Sequence, residues 1–424
     1  MGWQEVCKVR HEAEVRLSRP SSRLFRRLAD GSWLPPDRVA RISAIMLAIS
    51  LLAIAALILT AHGTVDRLGR PIGTDFSNVW SAGWMANHGQ AAFAWDWARH
   101  HAVQQAVHHD PQIPFYGWHY PPPFLLVAAL LALLPYLLAL LVWQTSTLYA
   151  AYAVVRRIVP SRITWLAFLG SPVVFVCVGH GHNGFLTAAL LGGGLLLLER
   201  KPLVAGLLLG CLVYKPQFAL IVPIVLIARW NGRAILGASL SALALIGSTL
   251  LIWGMPVWEA FIASLPLTRH VIIEQGATGW EKIQSAFSAI RWWGGSVGMA
   301  YMVQGIVTGG AMIATFVTTR YAEAAVRNAC VLCAALLSTP YVLDYDMTLL
   351  GVAVAFLVAD GRRRGFLPWE ITSYALALAA PLCSRGIMAL TGFPFGFIAT
   401  SGVMMLACRR LAGRLDHRHA AVDV

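Results

Sequence analysis

Apolar positions along this chain come in long unbroken runs rather than in alternation. The first, "ISAIMLAISLLAIAALILTA", fills residues 42–61. A bilayer's hydrocarbon core takes about 20 such residues in a helix. Backbone in lipid must satisfy its own hydrogen bonds, which leaves helices or closed barrels. Unbroken runs select helices. Further runs near 137–155, 163–179, 184–198, 202–214, 217–229, 234–254, 299–319, 325–339, 346–360, 366–383 and 387–407 extend the count to twelve crossings. The pattern predicts an all-α polytopic membrane protein. One apolar piece, "PPPFLLVAALLALLP" at 121–135, is bracketed by prolines that stop a helix on either side. It reads as a half-helix dipping in from the outer face. The pair 202–214 and 217–229, joined by "YKPQ", is also short and reads as a thinned or cavity-lining region.

Composition agrees. Of 424 residues 58% are hydrophobic and only 12% charged, where soluble domains run near 25%. The net charge of +13 raises the question of a nucleic-acid partner. The basic residues instead sit in short clusters between apolar runs: Arg156, Arg157 and Arg162; Arg200 and Lys201; Arg229 and Arg233; Arg362 to Arg364; Arg409, Arg410 and Arg414. Such dispersed clusters form no single footprint for nucleic acid, but they are what cytoplasmic loops carry. With the N-terminus inside, every basic residue except Arg67, Arg70, Arg99, Lys215, Arg269, Lys282, Arg291 and Arg385 lies inside, and both termini are cytoplasmic. The expected division is a basic N-terminal segment over 1–41, one membrane domain over 42–407 and a basic tail over 408–424, with outer loops near 62–136 and 255–298. The first forty residues lack the apolar core of a cleavable signal. Their arginines suit anionic headgroups. The seven cysteines lie mostly in apolar runs, and "CVLC" at 330–333 reads as packing.

The threading gathers unusual polar residues on the outer face. They are Asp75 and Asn78 in "GTDFSNVWSAG"; His119 in "YGWHYPPP"; His180, His182 and Asn183 in "GHGHNG"; Lys215 and Gln217 in "YKPQ"; Lys282 in "GWEKIQ"; Asp344 and Asp346 in "TPYVLDYD"; and Arg385. Ionisable groups at membrane depth are costly, so function is their default reading. Headgroup water is the plain alternative for each. Asp75 and Lys215, flanked closely by apolar sequence, are the least suited to it. Trp80, Trp84, Trp95, Trp97 and Trp118 crowd the first loop, which reads as short helices lying along the membrane. They serve either as an interfacial belt or as stacking faces for a sugar. His100, His101, His108 and His109 beside Asp110 lack the i, i+4 spacing of helical metal ligands.

"GTDFSNVWSAG", then "YPPPFLLVAALLALLPYLLALLVW", then "GHGHNGFLTAALLGGGLLLLERKPLVAGLLLGCLVYKPQ" resemble glycosyltransferase family 87 over most of residues 41–407. The resemblance implies a GT-C-class membrane enzyme, a hexosyltransferase that takes a sugar, mannose in the known members, from a polyprenyl-phosphate donor. The acceptor is then a glycolipid or glycan, and membrane lipids are the surroundings. An aspartate in the family's first outer loop is the proposed general base, which falls on Asp75. Where the family commonly has glutamine, this chain has His182. One base suffices for inversion. The departing polyprenyl phosphate needs cations rather than a metal or another cofactor. Lys215 is the first candidate for that role, and His182, Lys282, Arg269 and Arg385 follow. Gln217, Asn183, His119 and Trp84 complete the expected substrate contacts. Two other readings stay open. A transporter or flippase of lipid-linked sugars would bury ionisable groups at the midplane between repeated halves. An O-antigen-type ligase would use the 255–298 loop with Arg269, His270 and Glu274. The reading places the enzyme in the plasma membrane with its site on the outer face.

Overall fold

In the computed structural model the described residues are 20–420, with side chains described for 23–413. Residues 1–19 of the basic N-terminal segment and 421–424 of the tail lie outside them. Among the described residues the chain is helical, with only isolated bridges such as Ile283 with Leu343 in place of sheet. Among the described residues six helices are long and apolar enough to cross a membrane: Pro36–Leu59, Tyr136–Ile158, Gly232–Trp253, Val297–Tyr321, Glu370–Thr391 and the segment Phe395–Gly413. Shorter apolar helices, including Gly184–Leu197, Pro202–Tyr214, Pro216–Ala228 and Ala324–Leu337, fill the interior between them. This is an integral membrane protein.

Where the sequence reads one span over 163–179, the chain forms Thr164–Leu169 and Pro172–His180, because Pro172 begins a new helix after Gly170. The run 217–229 likewise divides into Pro216–Ala219 and Val222–Ala228. The proline-bracketed piece forms a short helix, Pro123–Leu131. At the C-terminal end the expected break near 384–386 is absent. Helix Glu370–Thr391 carries Pro381 internally and stops only at Gly392, which takes the left-handed conformation at φ 71° two residues before Pro394. A glycine C-cap followed by proline is the stronger stop. Arg385 therefore sits inside a helix rather than in a surface turn.

Ion pairs sort the bundle into two ends. At one end Lys215 meets Asp346 and Arg385 meets Asp344. At the other, Arg410 donates to Asp360 at 2.7 Å and to Glu370 at 2.6 Å, all three buried. Arg229 and Arg327 there share Glu199. Lipid supplies no counter-ions, so the charges that enter the bundle close on one another.

Helices Pro202–Gly210 and Gly232–Trp253 cross in close backbone contact. A Cβ on Gly206 would lie 2.1 Å from the Ala234 carbonyl oxygen, and one on Gly237 would lie 2.3 Å from that of Leu203. Without a hydrophobic drive between helices in lipid, such small-residue contact is what holds them. Gly237→Leu must push backbone away from backbone. We expect it to cost about 1–3 kcal/mol, the range for overpacking, read as a lowered midpoint of thermal unfolding in detergent. Gly247→Leu, where an added Cβ meets nothing within 4 Å, is expected to leave that midpoint unchanged.

Candidate active site

The site forms where two glycine turns press together. Gly73 (φ 70°) precedes Asp75, and Gly181 (φ 64°) lies between His180 and His182. A Cβ on Gly181 would fall 2.7 Å from Cβ of Phe76 and 3.2 Å from Cα of Gly73. Only glycine allows this approach together with positive φ. The turns are then locked. The Asp75 backbone N–H donates to the His180 carbonyl at 2.9 Å, and Thr74 Oγ1 meets His180 Nδ1 at 2.8 Å. Tyr136 hydroxyl donates to the Ile72 carbonyl at 2.8 Å and Trp143 Nε1 to that of Gly181 at 3.2 Å.

Asp75 occupies the N-cap of Phe76–Asn87, yet its carboxylate caps nothing. It turns instead toward Tyr345, whose hydroxyl donates to it, and lies 4.0 Å from His180 Nδ1. Its side chain keeps 21% of its surface exposed. Burial raises its pKa above the ordinary carboxylate value, against the opposing pull of His180, the Tyr345 hydroxyl and Arg385. A carboxylate raised in this way, and not consumed by a close ion pair, is a stronger proton acceptor than an ordinary carboxylate.

Around it stand two closed charge pairs. Lys215, 4% exposed, donates from Nζ to Asp346 Oδ1 at 2.6 Å and to Asn183 Oδ1 at 2.9 Å. Arg385 donates from Nη2 to Asp344 Oδ1 at 2.9 Å and approaches His180 Nε2 at 3.3 Å, with 32% of its side chain exposed. His182 stacks on Tyr345 with ring centroids 3.5 Å apart, and its Nε2 meets the Tyr120 hydroxyl at 3.0 Å. Burial, helped by Lys215 and His180, holds its pKa well below the usual imidazole value, so the ring is neutral. His182 Nδ1 and Asn183 Nδ2 are buried without partners.

Of the residues singled out in the sequence, Asp75, His182, Asn183, Lys215 and Arg385 thus share one cluster. Gln217 is half-buried, two residues beyond Lys215 at the start of Pro216–Ala219. His119 lies apart, with Nδ1 3.2 Å from Thr268 Oγ1, and burial lowers its pKa to about 4. Arg269 is exposed and pairs with Glu274 at 3.2 Å, and Lys282 belongs to the turn Trp280–Lys282. Trp84 stacks on His88 at 4.1 Å. The other tryptophans of the first loop brace it from within: Trp80 donates to Leu134, Trp95 to Tyr120, and buried Trp118 stacks on Phe124. Its histidines do the same. His100 bonds the Ala94 carbonyl, His101 that of Ile113, and His108 bridges Thr64 and Ser77. Among the described residues no group of three or more His, Cys, Asp or Glu is arranged to hold a metal ion.

Tyr120, Tyr341 and Tyr345 join the cluster without having been singled out; His180, named in the sequence without a role, joins it through Thr74 and Arg385, and Asp344 and Asp346 join it through their ion pairs. Tyr341 bonds the Thr278 side chain, and Gln284 N–H donates to the Val342 carbonyl at 2.7 Å, so the second long loop is docked on the segment that carries both aspartates. The tyrosines lie inside the quoted motifs "YGWHYPPP" and "TPYVLDYD", where an interfacial belt accounts for aromatics equally well.

A family model for glycosyltransferase family 87 matches residues 118–342. The chain belongs to that family. It is therefore a membrane glycosyltransferase. The matched segment contains His182, Asn183 and Lys215 but begins after Asp75 and ends before Asp344, so the structure rather than the match joins Asp75 to the cluster. No curated protein and no solved structure matches the chain.

The electrostatics set a direction for pH dependence. If the deprotonated Asp75 is the active form, transfer falls as pH drops through its raised pKa, placing the acid limb of kcat/KM above the ordinary carboxylate range. Arg385→Gln removes a cation that favours the carboxylate and leaves Asp344 uncompensated, and both effects raise the Asp75 pKa further. The expected result is an acid limb moved to higher pH in a pH–rate profile of glycosyl transfer. A limb that stays in place would separate Arg385 from Asp75.

Proposed function

We propose that this family 87 glycosyltransferase transfers a sugar, mannose by family resemblance, from a polyprenyl-phosphate donor to a lipid-linked or glycan acceptor. The reaction takes place at the outer face of the plasma membrane on a GT-C-type fold of twelve crossings. The observation that carries the reading is the environment of Asp75: a half-buried carboxylate with raised pKa at one end of the bundle, facing Tyr345 and His180. In this reading Asp75 takes the proton of the acceptor hydroxyl as that oxygen attacks the anomeric carbon, and the C–O bond to phosphate breaks on the opposite side. Configuration inverts.

The leaving phosphate carries its negative charge away without needing a proton. Arg385, a third exposed beside Asp75, is the nearer cation to meet it. Lys215 is neutralised by Asp346, donates a hydrogen bond to Asn183 and acts by holding the floor of the site. The unpartnered nitrogens of His182 and Asn183 are then donors or acceptors for sugar hydroxyls. Membership of a transferase family supports transfer over transport. In the second loop Glu274, the carboxylate that the ligase reading would use, is held by Arg269, His270 and Tyr301.

The test is transfer from polyprenyl-phosphate-mannose to a membrane glycolipid extract. Asp75→Asn is expected to lose about a hundredfold or more in rate, the scale for a general base. Because the folded state raises the Asp75 pKa, ionising it above the unfolded pKa weakens the fold. The asparagine variant is therefore expected to melt no lower than wild type near neutral pH. Full activity in this variant would remove Asp75 from the chemistry.

A further inference from the structure

At the end of the bundle opposite Asp75 an apolar cavity of about 480 Å³ opens between helices Tyr136–Ile158, Pro172–His180, Thr348–Arg364 and Glu370–Thr391. Its long wall is one stripe of Thr348–Arg364: Thr348, Gly351, Val352, Ala355, Val358 and Arg362. These positions recur at helical spacing, so they line a channel along the axis. From Thr348 to Arg362 the helix rises about 21 Å, more than the roughly 15 Å of hydrocarbon in one leaflet. Gly351 faces the open space, since a Cβ added there meets nothing within 4 Å.

The mouth differs from the walls. Leu34, Pro36, Phe366 and Ile371 ring it, together with the exposed Arg362. Arg363 and Arg364 pair with Asp360 and Glu323, but among the described residues no carboxylate lies within ion-pair distance of Arg362. Beside the mouth lies helix Pro20–Asp30, which presents exposed Leu24 and Phe25 among Arg23, Arg26 and Arg27. It is anchored by Phe25 on Trp369, with ring centroids 5.0 Å apart, and by the Trp369 N–H to the Ala29 carbonyl at 2.7 Å. An amphipathic basic helix of this kind lies at a headgroup boundary. The cavity thus joins an apolar shaft to a cationic rim.

We propose that the cavity is a binding site for an acyl chain of an anionic phospholipid, with the headgroup phosphate at Arg362 and the chain running toward Thr348. A dry apolar void forfeits the dispersion contacts of its lining, and a lipid chain restores them. The occupant is distinct from the sugar donor, whose phosphate must reach Asp75 at the far end of the bundle. The shaft nevertheless ends under the active site: Thr348 Oγ1 donates to the Gly184 carbonyl at 2.9 Å, one residue from Asn183.

Native mass spectrometry of the full chain tests this, after delipidation and addition of phosphatidylglycerol or phosphatidylcholine of matched chains. Wild type is expected to retain a single phosphatidylglycerol about fivefold better than phosphatidylcholine, the scale of one arginine–headgroup contact. Arg362→Gln, an exposed substitution, is expected to abolish the preference, and Gly351→Leu, which fills the shaft, to abolish retention of both lipids. Equal retention of the two lipids by wild type, or an unchanged preference in Arg362→Gln, would overturn the assignment. Displacement of phosphatidylglycerol by added polyprenyl phosphate would overturn it too, giving the cavity to the donor.

Discussion

Lys215 and Asp346 meet at 2.6 Å with almost no exposed surface on either side chain, and much of the site rests on that contact. A buried charge whose partner is removed is stranded, at a cost of about 3–5 kcal/mol. The pair therefore fixes the hairpin at 211–216 against the segment at 341–346. Asn183 accepts a second hydrogen bond from the same ammonium, which draws in the turn that carries His180 and His182. That turn holds Asp75 through its backbone. Four stretches far apart in sequence are thus gathered by one ion pair, and Arg385 with Asp344 closes the side that remains.

The arrangement divides labour between charges. Those already satisfied build the floor, and the Asp75 carboxylate, 4.0 Å from His180 Nδ1, is the one without a close ion pair. In water such differences between carboxylates are small. In a bundle surrounded by lipid they are enlarged, because a weakly paired charge has no solvent to fall back on. The opposite end shows the contrast, with Arg410 buried between Asp360 and Glu370 to join three helices.

Much of this was legible in the sequence. Unbroken apolar runs announce the helices, prolines announce the short helix Pro123–Leu131, and the scarcity of charge makes Asp75 and Lys215 conspicuous. Pairing was not legible, since Lys215 and Asp346 lie 131 positions apart and nothing local to either names the other. Arg385 was misplaced because the runs 366–383 and 387–407 were separated around it, whereas one helix continues through it to the stop at Gly392. Tyr345 and Tyr120 were hidden by a reading of aromatics as an interfacial belt. His119, Arg269 and Lys282 share the polar face but not the cluster, and membrane threading reports only which face a residue is on.

Helix Pro36–Leu59 has only 6% of its apolar window buried and touches the bundle most closely where Gly170 abuts the Ser43 carbonyl. Nearly all of its surface is addressed to lipid. One apolar side chain serves there as well as another, so its letters are free to drift while its length and Ser43 are not. The chain thus carries two kinds of membrane helix. One is spelled out residue by residue by its neighbours, and the other is spelled only by the thickness of the bilayer around it.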